Sequence, residues 1–154
     1  MFAAIFCFGL TVITPSIDST YIGLNNLTAI QSGYRIKLSI TNLPEVTGNI
    51  AILVFNESEG FPGDEKKAIR KAVLKVTGRV VIHEFEQLPP GQYAVAVIHD
   101  RNGNSKLDTN FLGIPSEGVG ISNNAMNMFG PPKFQDAVFD LKNSDANLTI
   151  RLRN

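Results

Sequence analysis

The sequence predicts an all-β protein, a single antiparallel β-sandwich of about seven short strands preceded by a signal peptide. Three observations carry this. Past position 30 the apolar residues recur with a period of two rather than 3.6. The alternating runs are short and separated by turns containing Gly, Pro and Asn. No long amphipathic helical pattern competes with them. At 154 residues and 44% hydrophobic content, the chain can bury one core but not two.

Each element follows in order. The first 13 residues, MFAAIFCFGLTVI, are apolar and run into the small, polar TPSIDST, which is the order of a signal-peptide core and its cleavage region. The run falls short of the roughly 20 residues that cross a bilayer as a helix, so no stable membrane span is expected. Residues 1–18 are assigned to the signal peptide, 19–32 to an N-terminal extension and 33–154 to the sandwich domain. The competing reading makes the apolar run a first strand or helix of the fold. With the leader removed, the protein would be secreted or periplasmic. Cys7 is the single cysteine, which excludes an internal disulfide and a thiolate metal cluster.

YRIKLSITNL places Ile36, Leu38 and Ile40 on one face and Arg35, Lys37 and Ser39 on the other, as in a half-buried strand. GNIAILVFN is more densely apolar and should be a central, well-covered strand. ESEGFPGDEKKAIR is acidic and punctuated by Gly and Pro, so it runs over the surface, with room for a helical turn at 64–70. KAVLKVTG and RVVIHEFEQL meet at Thr77 and Gly78, where the glycine permits a tight turn, and a hairpin is expected. In LPPGQYAVAVIHD both alternating sets, Tyr93, Val95, Val97 and Ala94, Ala96, Ile98, are apolar, so both faces should be covered. KFQDAVFDL and ANLTIRLRN complete the set as two further strands. No internal repeat, low-complexity tract or linker divides the domain.

The segment LPPGQYAVAVIHD resembles the turn and strand of transthyretin-like and collagen-adhesin B-type sandwich modules, and the expected sandwich is of the transthyretin-like or Ig-like class. The longer run through HDRNGNSKLDTNFLGIPSEG, SNNA and FGPPKFQDA resembles a family of small secreted bacterial proteins known only as a domain of unknown function. The likeness covers roughly residues 33–153 and implies a signal peptide, a compact β-sandwich and export, with no established reaction.

Asp100, Asn102, Asn104 and Asp108 occupy the first, third, fifth and ninth places of the loop that follows HD, with the Lys106 carbonyl at the seventh. Calcium loops use this spacing, because alternate residues of a curled chain turn their oxygens to one ion. Ser105 stands where glycine is usual at the sixth place and Phe111 where a bidentate glutamate is usual at the twelfth. Calcium is therefore expected as a weakly held cofactor, with Kd on the order of 10⁻⁴ to 10⁻³ M. The competing reading is an Asx-rich turn with Gly103 at positive φ. Asn110 and Glu117 are near enough in sequence to add oxygens.

The stretch 111–134 mixes Gly, Pro and Asn with Phe111, Ile114, Met126, Met128, Phe129 and Phe134. Either it folds over one end of the sandwich, or it offers Ser122, Asn123, Asn124 and Phe129 as ligand-binding residues. An enzymatic alternative, a small hydrolase, would use His99 with an acidic partner and His83 as a second titrating group. Adjacent strand residues such as His99 and Asp100 face opposite ways, and no nucleophile elbow, HExxH or phosphate-cradling loop occurs. Lys plus Arg and Asp plus Glu are equal at 14 each, so no net field draws the chain to nucleic acid. The expected function is a secreted or periplasmic binding or structural module for an unidentified protein or extracellular ligand.

Overall fold

The computed structural model describes residues 33–113, 115–127 and 130–153. The expected signal peptide and extension, together with Ile114, Met128 and the candidate ligand residue Phe129, lie outside the described residues. Among the described residues, eight strands form two sheets. They are β1 (Tyr34–Thr41), β2 (Asn49–Phe55), β3 (Arg70–Lys75), β4 (Val81–Leu88), β5 (Gly91–Asp100), β6 (Gly118–Ile121), β7 (Phe139–Leu141) and β8 (Ala146–Arg151), with a short 3-10 turn at Ser122–Asn124 and one α-helical turn, α1 (Phe134–Ala137). One sheet has the order β4-β1-β8. The other runs β3-β2-β5-β6, with β7 beside the first residues of β5.

The period-two pattern fills the space between the sheets. Ile36, Leu38 and Ile40 are fully buried and share one apolar cluster with Ile50, Ile52, Val54, Tyr93, Val95, Val97, Ile150 and Leu152. The opposite face of β1 is wet, and Lys37 and Arg35 pair there with Glu84 at 3.1 and 3.5 Å. The hydrogen bond from Lys37 holds the Glu84 carboxyl below the usual carboxylate range. Such exposed pairs add little stability.

The five-stranded sheet is covered on both faces over part of its area, as the dense apolar runs of β2 and β5 require. Leu53, Phe55, Ala94, Ala96 and Ile121 form a second cluster with Phe134 and Ala137, and Phe61 packs against it. Phe61 stands edge-on to Phe55 and Phe134, with ring centroids 5.4 and 5.7 Å apart, a favoured aromatic geometry. At the start of β5 the Tyr93 hydroxyl donates to the Pro89 carbonyl at 2.7 Å, tying the strand to the turn before it. Burial pushes the Tyr93 phenol above its usual range.

Several details depart from the sequence-based expectation. β3 and β4 do not form a hairpin: β3 pairs with β2 and β4 with β1, in different sheets. The 76–80 connection carries the chain across the core instead, with Val76 and Val81 both buried in it. A Gly-containing turn between two alternating runs is compatible with either path. The sandwich is not wholly antiparallel, because β1 and β8 pair in parallel. KFQDAVFDL is not one strand, since Phe134 and Ala137 lie one helical turn apart and form α1, leaving only Phe139–Leu141 extended. No helix forms at 64–70, where hydrogen-bonded turns lead into β3. Finally, the long stretch after 111 contains β6, which pairs with β5 at residues 96–99.

Candidate functional site

The Asp/Asn loop leaves the sheet at the end of β5, the longest and best-covered strand, and returns to it at β6. A connection mounted on a rigid strand pair is well placed to hold side chains in register. The structure gathers the sequence-predicted residues Asp100, Asn102, Asn104 and Asp108. The Asp100 Oδ1 accepts from the Gly103 and Asn104 N–H groups at 2.7 and 3.1 Å, and its Oδ2 accepts from the Ser105 N–H at 2.9 Å. This carboxylate curls the chain, and Gly103 and Ser105 take positive φ to follow it.

Across the loop, Asp108 accepts from the Asn102 Nδ2 at 2.6 Å and from the Asn104 Nδ2 at 3.1 and 3.2 Å. The two amide oxygens turn outward to backbone donors, Asn102 Oδ1 to the Asn104 N–H at 3.0 Å and Asn104 Oδ1 to the Lys106 N–H at 2.8 Å. The positive ends of two amide dipoles thus face the Asp108 carboxylate. Lys106 is exposed, and its N–H serves the Asn104 side chain.

Glu117 closes the loop. It is 2% exposed, its Oε1 accepting from the Arg101 N–H at 2.9 Å and its Oε2 from the Asp108 N–H at 3.2 Å. One carboxylate therefore clamps the entry and the exit of the loop. Arg101 adds a bond from its guanidinium to the Ser116 carbonyl at 2.7 Å. In sequence Glu117 stood only as a neighbouring oxygen, because a lone Glu before a short Gly-rich strand gives no hint of burial.

Oxygen is the only donor type in this loop, and the set of Asp100, Asp108, Asn102, Asn104 and the Lys106 carbonyl suits a hard cation such as calcium. Among the described residues no group of three or more His, Cys, Asp or Glu is placed to hold a metal. A cation here would rely on two carboxylates, and both amides would have to turn over to present their oxygens. That exchange gives up the bonds to the Asn104 and Lys106 N–H groups, a cost consistent with weak binding.

Ser122, Asn123 and Asn124 sit in a single turn in which Asn123 and Asn124 take positive φ. Each side chain bonds backbone of another element. Ser122, fully buried, accepts from the Val95 N–H at 2.9 Å and donates to the Ala137 carbonyl at 2.6 Å. Val95 lies between the part of β5 that pairs with β7 and the part that pairs with β6, so the Ser122 hydroxyl replaces a ladder bond. Asn123 donates to the Val138 carbonyl at 2.9 Å. Asn124 behaves as a one-residue strand on β8, donating to the Thr149 carbonyl at 3.1 Å and accepting from the Arg151 N–H at 2.8 Å. Beside it lies a shallow open groove lined by Asn42, Met126, Arg151, Leu152 and Arg153.

His99 is fully buried, its Nε2 lying 2.8 Å from the Thr47 carbonyl and its Nδ1 without a hydrogen-bond partner. Asp100 follows it on the other face of the strand, with its oxygens on the loop backbone. His83 belongs to the other sheet, edge-on to Phe85 at 4.6 Å. Burial lowers its imidazole below the usual histidine range.

A family model described as an uncharacterized protein conserved in bacteria (DUF2141) matches residues 38–149, which span the sandwich from β1 to β8. No curated protein and no solved structure matches the chain.

Proposed function

Given that the chain belongs to this family of uncharacterized proteins conserved in bacteria, we propose that it is an exported binding module whose binding element is the 100–117 loop, organised by a weakly held calcium ion. One observation carries this: the side chains of Asp100, Asn102, Asn104 and Asp108 bond within the 100–108 stretch, which Glu117 clamps at both ends. The sandwich supplies rigidity and the loop supplies oxygen donors and exposed side chains, a division of labour common to binding modules. Calcium would lock the curl by drawing the Asp100 and Asp108 carboxylates to one centre. The hydrolase alternative would need substrate to reach the fully buried His99.

Thermal melting tests the cation. A ligand that binds only the folded state stabilises by RT ln(1 + [L]/Kd), about 1.4 kcal/mol at ten times Kd. That is about 5 °C for a domain of this size. Calcium at about ten times a millimolar Kd should raise Tm, and magnesium should raise it less because it keeps its water. Asp108→Asn should remove the difference. Identical melting of the wild type in calcium and in excess chelator would leave the loop a hydrogen-bonded turn.

A further inference from the structure

We propose that the β-turn at 110–113 is a lipid-contacting tip, which lowers Phe111 and Leu112 into the interfacial zone of a bilayer. This rests on the reading of the loop as the binding element, though not on its cation. The two corner residues of a turn point into water and are ordinarily polar or small. In this turn the Gly113 N–H donates to the Asn110 carbonyl at 2.9 Å and the Leu112 N–H to the Asn110 Oδ1 at 2.9 Å. The corners are therefore Phe111 and Leu112, and they are 95% and 68% exposed.

The tip is presented by a braced neck. Thr109 bridges Pro115, the Ser116 N–H donates to the Asp108 carbonyl at 2.9 Å, and Glu117 anchors the base. Gly113, at φ 76, completes the turn in a conformation that side chains resist. Two large apolar groups thus stand in water at the corners of a hydrogen-bonded turn, where nothing among the described residues covers them.

The area selects the occupant. A phenylalanine buries about 150–250 Å², so the two corners together offer on the order of 300 Å². That is less than half of the roughly 800 Å² that each partner brings to a stable protein interface. A bilayer sets no such threshold, because attachment scales with whatever apolar area enters it, and two side chains give a weak, reversible hold. Asn110 already satisfies two N–H groups of the turn, which lowers the cost of leaving bulk water. Lys106, exposed in the same loop, can lay its stem along apolar surface and keep its ammonium among headgroups. Equal numbers of acidic and basic residues supply no long-range attraction, so anionic lipid is not required.

The chain contains no tryptophan, so a single introduced indole reports its own surroundings and nothing else. Phe111→Trp and Val73→Trp are compared in the full chain; Val73 is an exposed apolar residue on β3. Each is mixed with phosphatidylcholine vesicles carrying brominated acyl chains. The Phe111→Trp emission should shift to the blue and lose intensity, the Val73→Trp emission should not change, and adding Leu112→Ser to Phe111→Trp should cut the quenching severalfold. An unshifted Phe111→Trp signal overturns the inference, as does equal quenching of both variants, which would mean general adsorption. A blue shift that grows with protein concentration without vesicles also overturns it, in favour of docking between copies. Calcium-dependent melting of the same variants is read separately, so loss of lipid contact and loss of the cation are distinguishable.

Discussion

Two Asn-rich segments flank β6, and they use the same chemistry in opposite ways. In the 100–108 loop, Asn102 and Asn104 bond to residues of their own loop. In the 122–124 turn, Ser122, Asn123 and Asn124 reach backbone 15 to 27 residues away on β5, β8 and the segment around 137–138. Polar composition alone therefore does not mark a binding surface. A side chain that replaces a ladder bond belongs to the scaffold, whereas one bonded only within its own loop can exchange its partners for a ligand without disturbing the sheets.

Substitutions that separate these roles should differ most at Ser122. Ser122→Ala strands a buried N–H and a buried carbonyl, and denaturant unfolding should register a loss of about 2 to 4 kcal/mol with the calcium response intact. A variant as stable as wild type would erase the distinction. Glu117→Gln comes next, at about 1 to 3 kcal/mol, because it replaces an acceptor with a donor facing the Arg101 or Asp108 N–H. Unlike Ser122→Ala, it should also abolish the calcium-dependent rise in Tm.

Asn124→Ala and Asn104→Ala sharpen the contrast at smaller scale. Uncapping β8 should cost about 0.5 to 1.5 kcal/mol and leave the calcium response unchanged. Asn104→Ala should fall within about 0.5 kcal/mol in chelator and lose the response.

The smallest effect is an acid background that belongs to neither segment. The His83 imidazole is held below its ordinary value by burial, so the unfolded chain binds the proton more readily. Its stabilising contribution is complete above the usual histidine pKa of about 6.5 and is lost as pH falls through the lower folded value. His83→Asn should flatten that part of the stability profile while leaving the two Asn-rich segments as they are.

The strands with clean alternation were legible in the sequence. Ile36, Leu38 and Ile40 mark β1, and the doubly apolar Tyr93 to Ile98 mark β5, because burial on one or two faces writes itself into a period of two. β6 was not legible. Two of its four residues are Gly118 and Gly120, which have no side chain to alternate. Gly120 is needed for space, since a Cβ there would lie 2.7 Å from the Ile150 Cγ2. The false β3–β4 hairpin has a different origin, because Gly78 marks a bend but not which sheet the chain joins next. In the loop, the spacing of Asp100, Asn102, Asn104 and Asp108 marked a tightly curled chain, and their side chains do bond within that loop. The scaffold role of Ser122 and the burial of Glu117 depend on partners distant in sequence, and no local pattern encodes those.

The parallel pairing of β1 with β8 sets the order of events in time. The Arg35 N–H binds the Asp145 side chain 110 residues away, and Ile36 pairs with Ala146. Until β8 is available, β1 keeps one edge open beside three side chains destined for the interior, and Asn124 has no strand to cap. Closure that joins such distant segments is slow, on the order of milliseconds to seconds for sheets dominated by distant pairs. A nascent chain therefore passes through an interval with β1 paired on one edge only.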